Sequence, residues 1–215
     1  MTPPGLVIFD CDGVLVDSEQ ASFEVARAMA AELGIALSFE ENRPYFGTRD
    51  SDMFADLAAK HGVALPDGFL KRVEDRKMAR YRQGVALIPG ALHAVRRIAD
   101  AGLSVCVASS ATVERTRVKL EPLGLLEFFD EYVFTAYDVA RGKPAPDIFL
   151  HAAQRMGIAP AYCVVIEDAA AGVRAGVDAG MRVLGYAPKG DELGFSDLGA
   201  EPFPSMANVP RLIGL

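Results

Sequence analysis

Cysteine is scarce: Cys11, Cys106 and Cys163 are the three in a chain of 215 residues. They are odd in number, far apart, and set in or beside apolar runs. A disulfide framework is excluded, and no metal-type spacing is present. Such usage suits a reducing cytoplasm, where the chain is expected to act. Long hydrophobic runs are absent too. None approaches the ~18 residues of a membrane span, so no membrane partner is expected. The opening Met1-Thr2-Pro3-Pro4-Gly5 carries no basic stretch ahead of a long apolar one, and no secretory leader is expected. Basic charge is also in short supply. The formal net charge is −7, which argues against general nucleic-acid binding. An anionic substrate stays open, because a local cluster of Mg²⁺, Arg and Lys can outweigh the global balance.

What is present is an alternating α/β pattern. Leu6-Val7-Ile8-Phe9 is a short apolar run that ends at acidic residues. Leu103 to Ala108, Tyr132 to Phe134, Tyr162 to Ile166 and Met181 to Gly185 have the same character. Near-continuous apolar strands of this kind are buried on both faces of a parallel sheet. Helix-like stretches lie between them: Ala91 to Ala101, Val113 to Leu120, Ile148 to Met156 and Ala169 to Ala179. The pattern predicts a doubly wound α/β fold, whose ligands bind beyond the carboxyl ends of the strands.

From about Ser18 to Gly84 the alternation stops and only helices are predicted, at Ala21 to Leu33, Ser51 to His61 and Gly68 to Arg82. A helical cap over 18–85, inserted after the first strand of a core formed by 1–17 and 86–215, is the simplest reading. Its expected hinges are Val16 to Ser18 and Gly84 to Pro89. Asp17 suits a hinge or first-turn position. The tail after Pro188 is weakly patterned and suggests neither an element nor a function. Gly172, Gly176 and Gly180 lack the spacing of a dinucleotide loop and suggest close packing of a helix on the sheet, with Gly180 at its end.

Four polar signals fall at strand ends. Asp10 and Asp12, separated by one residue and followed by Gly13, leave the first strand on one side. They can divide nucleophilic and acid/base work, or simply bind a cation. Ser109-Ser110 precedes a helix and offers either an anion site or a cap. Lys143-Pro144 presents a flexible point charge suited to phosphate oxygens, or an exposed lysine. Glu167-Asp168 offers hard oxygens suited to Mg²⁺, or an N-terminal cap. In a parallel sheet all four ends converge on one edge, and that convergence favours chemistry over capping.

Phe9-Asp10-Cys11-Asp12-Gly13, Ser109, Lys143-Pro144 and Glu167-Asp168 occur in the order of the four motifs of the haloacid dehalogenase superfamily, which the chain resembles through Gly185. The placement of the helical insertion resembles the subgroup that includes β-phosphoglucomutase and many sugar-phosphate phosphatases. The resemblance implies a Rossmann-like core and an Mg²⁺-dependent phosphatase. Asp10 would be the nucleophile that forms an aspartyl-phosphate, and Asp12 the general acid and base. Ser109, Ser110 and Lys143 would hold the phosphoryl group. Asp10, the backbone carbonyl of Asp12, Glu167 and Asp168 would hold Mg²⁺.

Gly47-Thr48-Arg49-Asp50 and Lys77 resemble substrate contacts of the cap, which makes a second anionic group on the substrate plausible. The mutases carry a cap histidine where this chain has Ser22. His61, His93 and His151 lie elsewhere, so hydrolysis is favoured over the alternative of a sugar-phosphate mutase. Ala136 to Pro144 resembles phosphatases of sugar-acid phosphates such as 6-phosphogluconate. A small phosphorylated metabolite is the expected partner, and a monomer or weak homo-oligomer the expected state. A phospho-accepting signalling domain, the non-enzymatic alternative, is shorter and lacks the helical insertion.

Overall fold

A computed structural model describes residues 4–129, 131–191 and 193–215. The chain runs β1 (Leu6–Phe9), β2 (Val16–Asp17), α1 (Glu19–Glu32), α2 (Phe39–Asn42), α3 (Asp50–His61), α4 (Phe69–Tyr81) and β3 (Ala86–Leu87). It continues through α5 (Ala91–Asp100), β4 (Ser104–Ser109), α6 (Val113–Leu120), α7 (Leu126–Phe129), β5 (Val133–Thr135) and α8 (Asp147–Met156). The last elements are β6 (Cys163–Glu167), α9 (Ala170–Asp178), β7 (Arg182–Tyr186), β8 (Glu201–Phe203) and α10 (Val209–Leu212).

Six strands form one sheet in the order β5-β4-β1-β6-β7-β8. Every neighbouring pair in it is parallel. The doubly wound α/β core predicted from the sequence is therefore present. The chain's period of two explains the two buried faces. Val7, Phe9, Val105, Val107 and Ile166 pack on one side. Leu6, Ile8, Cys106, Ala108 and Val165 pack on the other. Since β1 lies between β4 and β6, the ends of these three strands sit side by side, at the point where the strand order reverses.

Helices α1 to α4 fill the run between β2 and β3. They bury a separate apolar cluster that includes Met29, Ile35, Phe54, Leu57, Phe69 and Val73. Phe54 and Phe69 meet edge to face, with centroids 5.0 Å apart. The two legs of this run, β2 and β3, pair antiparallel, Val16 opposite Leu87 and Asp17 opposite Ala86.

The tail departs from expectation. Beyond Pro188 the chain adds β8, parallel to β7 at the sheet edge, and then α10. Met206, Val209 and Ile213 join the core cluster beside α5. The glycines of α9 pack closely, as the sequence predicts. A Cβ on Gly176 would lie 2.7 Å from Val183 Cγ2, so the helix rests directly on the sheet. No helix among the described residues is long and apolar enough to cross a membrane.

Candidate active site

Asp10 is the first residue past β1, and its N–H donates to the carbonyl of Ile166 at 3.0 Å. That bond fixes the side chain beside the end of β6. Lys143 arrives from the loop before α8 and is wholly buried. Its Nζ donates to Asp10 Oδ1 at 2.6 Å, to Glu167 Oε1 at 2.6 Å and to the Ala108 carbonyl at 3.0 Å. One cation thus ties together the ends of β1, β4 and β6. Burial alone would discharge this ammonium, but Asp10 and Glu167 reverse that and hold it protonated.

Ligand oxygens of Asp10, Glu167 and Asp168 lie within 4.8 Å of one another. Crowding three carboxylates around one lysine leaves excess negative charge. Burial lifts the Asp10 carboxyl to about 7, with Lys143 opposing and Glu167 and Asp12 adding to the rise. Burial, Glu167 and Asp10 likewise push Asp168 well above the usual carboxylate range. A divalent cation would relieve this repulsion, and an all-oxygen donor set suits Mg²⁺. The backbone leaves room for the carboxylates only through glycine. A Cβ on Gly13, whose φ is +79°, would lie 1.8 Å from Asp168 Oδ2. One on Gly172 would lie 1.8 Å from Glu167 Oε1. The residues present therefore fit the metal. Glu167 is oriented further by the N–H groups of Asp168 and Ala169, which donate to Oε2 at 3.0 and 3.2 Å.

Asp12 points elsewhere. Its carboxylate accepts from Lys119 Nζ at 2.5 and 2.6 Å, and from the Ser18 hydroxyl. Burial would raise its pKa, but Lys119, Ser18 and Arg115 outweigh that and hold it below the ordinary value. The two acids of the strand end are thus in unlike settings. Asp10 sits near neutrality with the carboxylate cluster, whereas Asp12 is held ionised by a separate lysine.

Ser109, at the end of β4, is fully buried, and its Oγ accepts from the N–H of Ala111 at 3.1 Å. Ser110 donates to the Gly47 carbonyl at 2.6 Å and lines the cleft. Capping of α6 falls instead to Thr112, whose hydroxyl accepts from the Arg115 N–H at 3.2 Å. Neither serine is needed as the N-cap.

The cleft is lined by Asp10, Asp12 and Asp168 from the core and by Asn42, Lys77 and Tyr81 from the helical run. Lys77 is buried and donates to Asp50 at 2.5 Å and to Ser22 Oγ at 3.0 Å. The described residues that line the cleft include no histidine. Arg49, expected as a substrate contact, is not brought into this cleft. Its guanidinium donates to the carbonyls of Ala136 and Val139 and lies 5.8 Å from the Tyr137 ring. It lines a separate groove with Arg141 and Pro144.

Sequence reasoning missed Lys119 and Arg115, and although it named Ser18 in a hinge and Asp50 in a cap loop, it gave neither its contact here. Arg115 and Lys119 lie four apart on α6 and share a helix face. Two cations at that spacing on the helix that follows Ser109-Ser110 were the available signal.

A family model described as haloacid dehalogenase-like hydrolase matches residues 4–180. The chain belongs to that family and is an enzyme of it. It is 32% identical over 180 residues to 6-phosphogluconate phosphatase of Escherichia coli, spanning 83% of this chain and 80% of that protein. It is also 38% identical over 185 residues to the chloroplastic Protein SUPPRESSOR OF QUENCHING 1 of Arabidopsis thaliana, where it spans 83% of this chain but 17% of that protein. Among solved structures, a HAD family hydrolase from Deinococcus radiodurans, with bound phosphate and sodium, superposes with a TM-score of 0.75 at 34% identity. That match covers 100% of this chain and 98% of the other.

Proposed function

We propose that the chain is an Mg²⁺-dependent phosphatase of small phosphorylated carbohydrates that works through an aspartyl-phosphate on Asp10. The observation that carries this reading is the placement of Asp10. Its carboxylate is fixed by Lys143 at the meeting point of three strand ends, beside two further carboxylates, with a second acid held apart on its own lysine. That is the division of labour that a two-step displacement needs.

In the first step a carboxylate oxygen of Asp10 forms a bond to phosphorus and the ester P–O bond breaks. Asp12, which the free site holds ionised, first takes up a proton from solvent and gives it to the departing alkoxide. In the second step water attacks the phosphorus of the acyl-phosphate. Asp12 takes a proton from that water, and the Asp10 carboxylate is released with inorganic phosphate. Lys143 and the N–H groups near Ser110 place positive charge where phosphoryl oxygens gain negative charge. Ser109 and Ser110 orient the group. Asp10, Glu167, Asp168 and the carbonyl of Asp12 would hold Mg²⁺, which when bound offsets the repulsion between the Asp10 carboxylate and the phosphate.

The helical segment 18–85 acts as a cap that selects the substrate. Ser22 is engaged by Lys77 and offers no imidazole to Asp12, which favours hydrolysis over isomerisation of a sugar phosphate. The test is phosphate release, with Mg²⁺, from a panel of hexose phosphates, hexitol phosphates, 6-phosphogluconate, phosphoglycolate and nucleotides. β-Glucose 1-phosphate is included and followed for isomerisation. Free phosphate from carbohydrate esters, lost in Asp10→Asn, is the expected result. Isomerised sugar phosphate with little free phosphate would overturn the assignment.

A further inference from the structure

One wall of the cleft is formed around two cations, Lys77 of α4 and Arg115 of α6, and both are already paired with carboxylates. Lys77 is bound to Asp50 at 2.5 Å. Arg115 is bound to Asp50 at 2.5 Å and to Glu74 at 3.1 Å. Two positive and two negative charges therefore cancel within one buried network. Glu19, half-buried at the same cleft, adds a further carboxylate. Arg49, a third cation of the helical segment, is committed to backbone carbonyls outside the cleft. Among the described residues on this wall, every cation is already matched by a carboxylate.

The lining of the same cleft includes two unsatisfied polar atoms. Asn42 and Arg115 are each 4% exposed. Asn42 Oδ1 and Arg115 Nε have no hydrogen-bond partner, and both side chains line the cleft. Buried groups of this kind are costly when unmet and point to what a ligand must supply. Asn42 Oδ1 needs a donor and Arg115 Nε needs an acceptor. Hydroxyls provide both. An ionised carboxylate or phosphate oxygen only accepts, and would face Asn42 Oδ1 without a bond.

Resting on the phosphatase reading above, we propose that this wall is a charge-neutral hydroxyl subsite. It accepts the monophosphate of an uncharged sugar or polyol and rejects a substrate with a second phosphate or a carboxylate. This parts the chain from the substrate named for its E. coli relative, and from the second anionic group that Arg49 and Lys77 suggested in the sequence.

Sorbitol 6-phosphate and 6-phosphogluconate test it, because they share a six-carbon chain and differ at one end, CH₂OH against COO⁻. With the wild-type protein and Mg²⁺, kcat/KM should favour sorbitol 6-phosphate by at least about tenfold, as expected where buried polar groups read a substrate hydroxyl. Glu74→Gln removes one compensating charge and should shift that ratio several-fold toward the acid. A ratio near one, or in favour of 6-phosphogluconate, would overturn the proposal. The same two compounds are compared as ligands by the thermal shift of the Asp10→Asn protein. A larger shift with sorbitol 6-phosphate supports the subsite even if no ester is hydrolysed, whereas that absence of turnover would count against the phosphatase reading alone. Equal shifts would count against the subsite.

Discussion

Replacing Lys119 by Met separates the role of Asp12 from that of the rest of the site. Lys119 is fully buried, and its Nζ spans both oxygens of Asp12. It also lies 5.1 Å from the centre of the Tyr81 ring. Methionine keeps most of the apolar stem and removes the charge. Breaking a fully buried ion pair costs about 3–5 kcal/mol. The Asp12 side chain is 36% exposed at the cleft, so water takes up part of the charge, and a loss of about 2–3 kcal/mol in stability is expected. The effect on catalysis should be larger. A positioned general acid or base contributes about 10²–10⁴-fold. Ser18 still holds one Asp12 oxygen, so about a 10²-fold loss on alkyl phosphates is the expected outcome. p-Nitrophenyl phosphate distinguishes the two steps. Its phenolate leaves without a proton, so the first step should keep its rate. Hydrolysis of the acyl-phosphate still needs Asp12 and should slow. Stopped-flow absorbance should therefore show a burst of nitrophenolate followed by slow turnover in Lys119→Met. Equal slowing of burst and turnover, or no slowing of either, would refute the role given to Lys119.

Four further outcomes are expected. Asp10→Asn should lose at least about 10³-fold in turnover, by analogy with other nucleophile deletions; a phosphate-release assay with purified, folded protein checks this. Chelation with EDTA should abolish activity and added Mg²⁺ should restore it, and Mg²⁺ should raise the melting temperature of the metal-free protein, as any ligand of the folded state does. Gly13→Ala forces a Cβ onto the Asp168 carboxylate at a positive φ; calorimetric titration should show weakened Mg²⁺ binding. Asp50→Asn tests the buried network. Burial would raise the Asp50 pKa, but Lys77 and Arg115 outweigh it and depress the folded-state value. Its stabilisation is therefore present above the unfolded value of about 4 and fades as the pH falls below it. The variant should lose about 3 kcal/mol near neutrality, and melts from pH 7 downward should show the gap to wild type narrowing below about pH 4.

The core was legible because its signals are local. Apolar runs such as Leu6 to Phe9 alternate with helices, and each run ends in a polar residue that the parallel sheet carries to one edge. Asp10, Ser109, Lys143 and Glu167 could be named without knowing any contact. The β8 strand could not, because Glu201-Pro202-Phe203 is three residues long and its proline reads as a break. Proline is tolerated there because β8 is an edge strand. The partners of the reactive groups were illegible for another reason. Lys119 and Asp12 are 107 residues apart, and nothing in the local pattern around either marks the pairing. Arg49 shows the converse case. A basic residue in a suggestive loop was readable, but which way its guanidinium turns depends on carbonyls of a distant loop.

The antiparallel pair β2–β3 gives the helical run both of its connections to the sheet at one place. Ser18, the first residue beyond β2, is also the hydroxyl that holds Asp12. The tether and the acid therefore share a lever. A swing of the helices about that ribbon would move Ser18 relative to Asp12, while Lys119, on α6 of the core, would stay behind with the carboxylate. Proton delivery and enclosure of the substrate would then be timed by the same hinge, and water entering an open cleft would meet an acid that has lost one of its two supports.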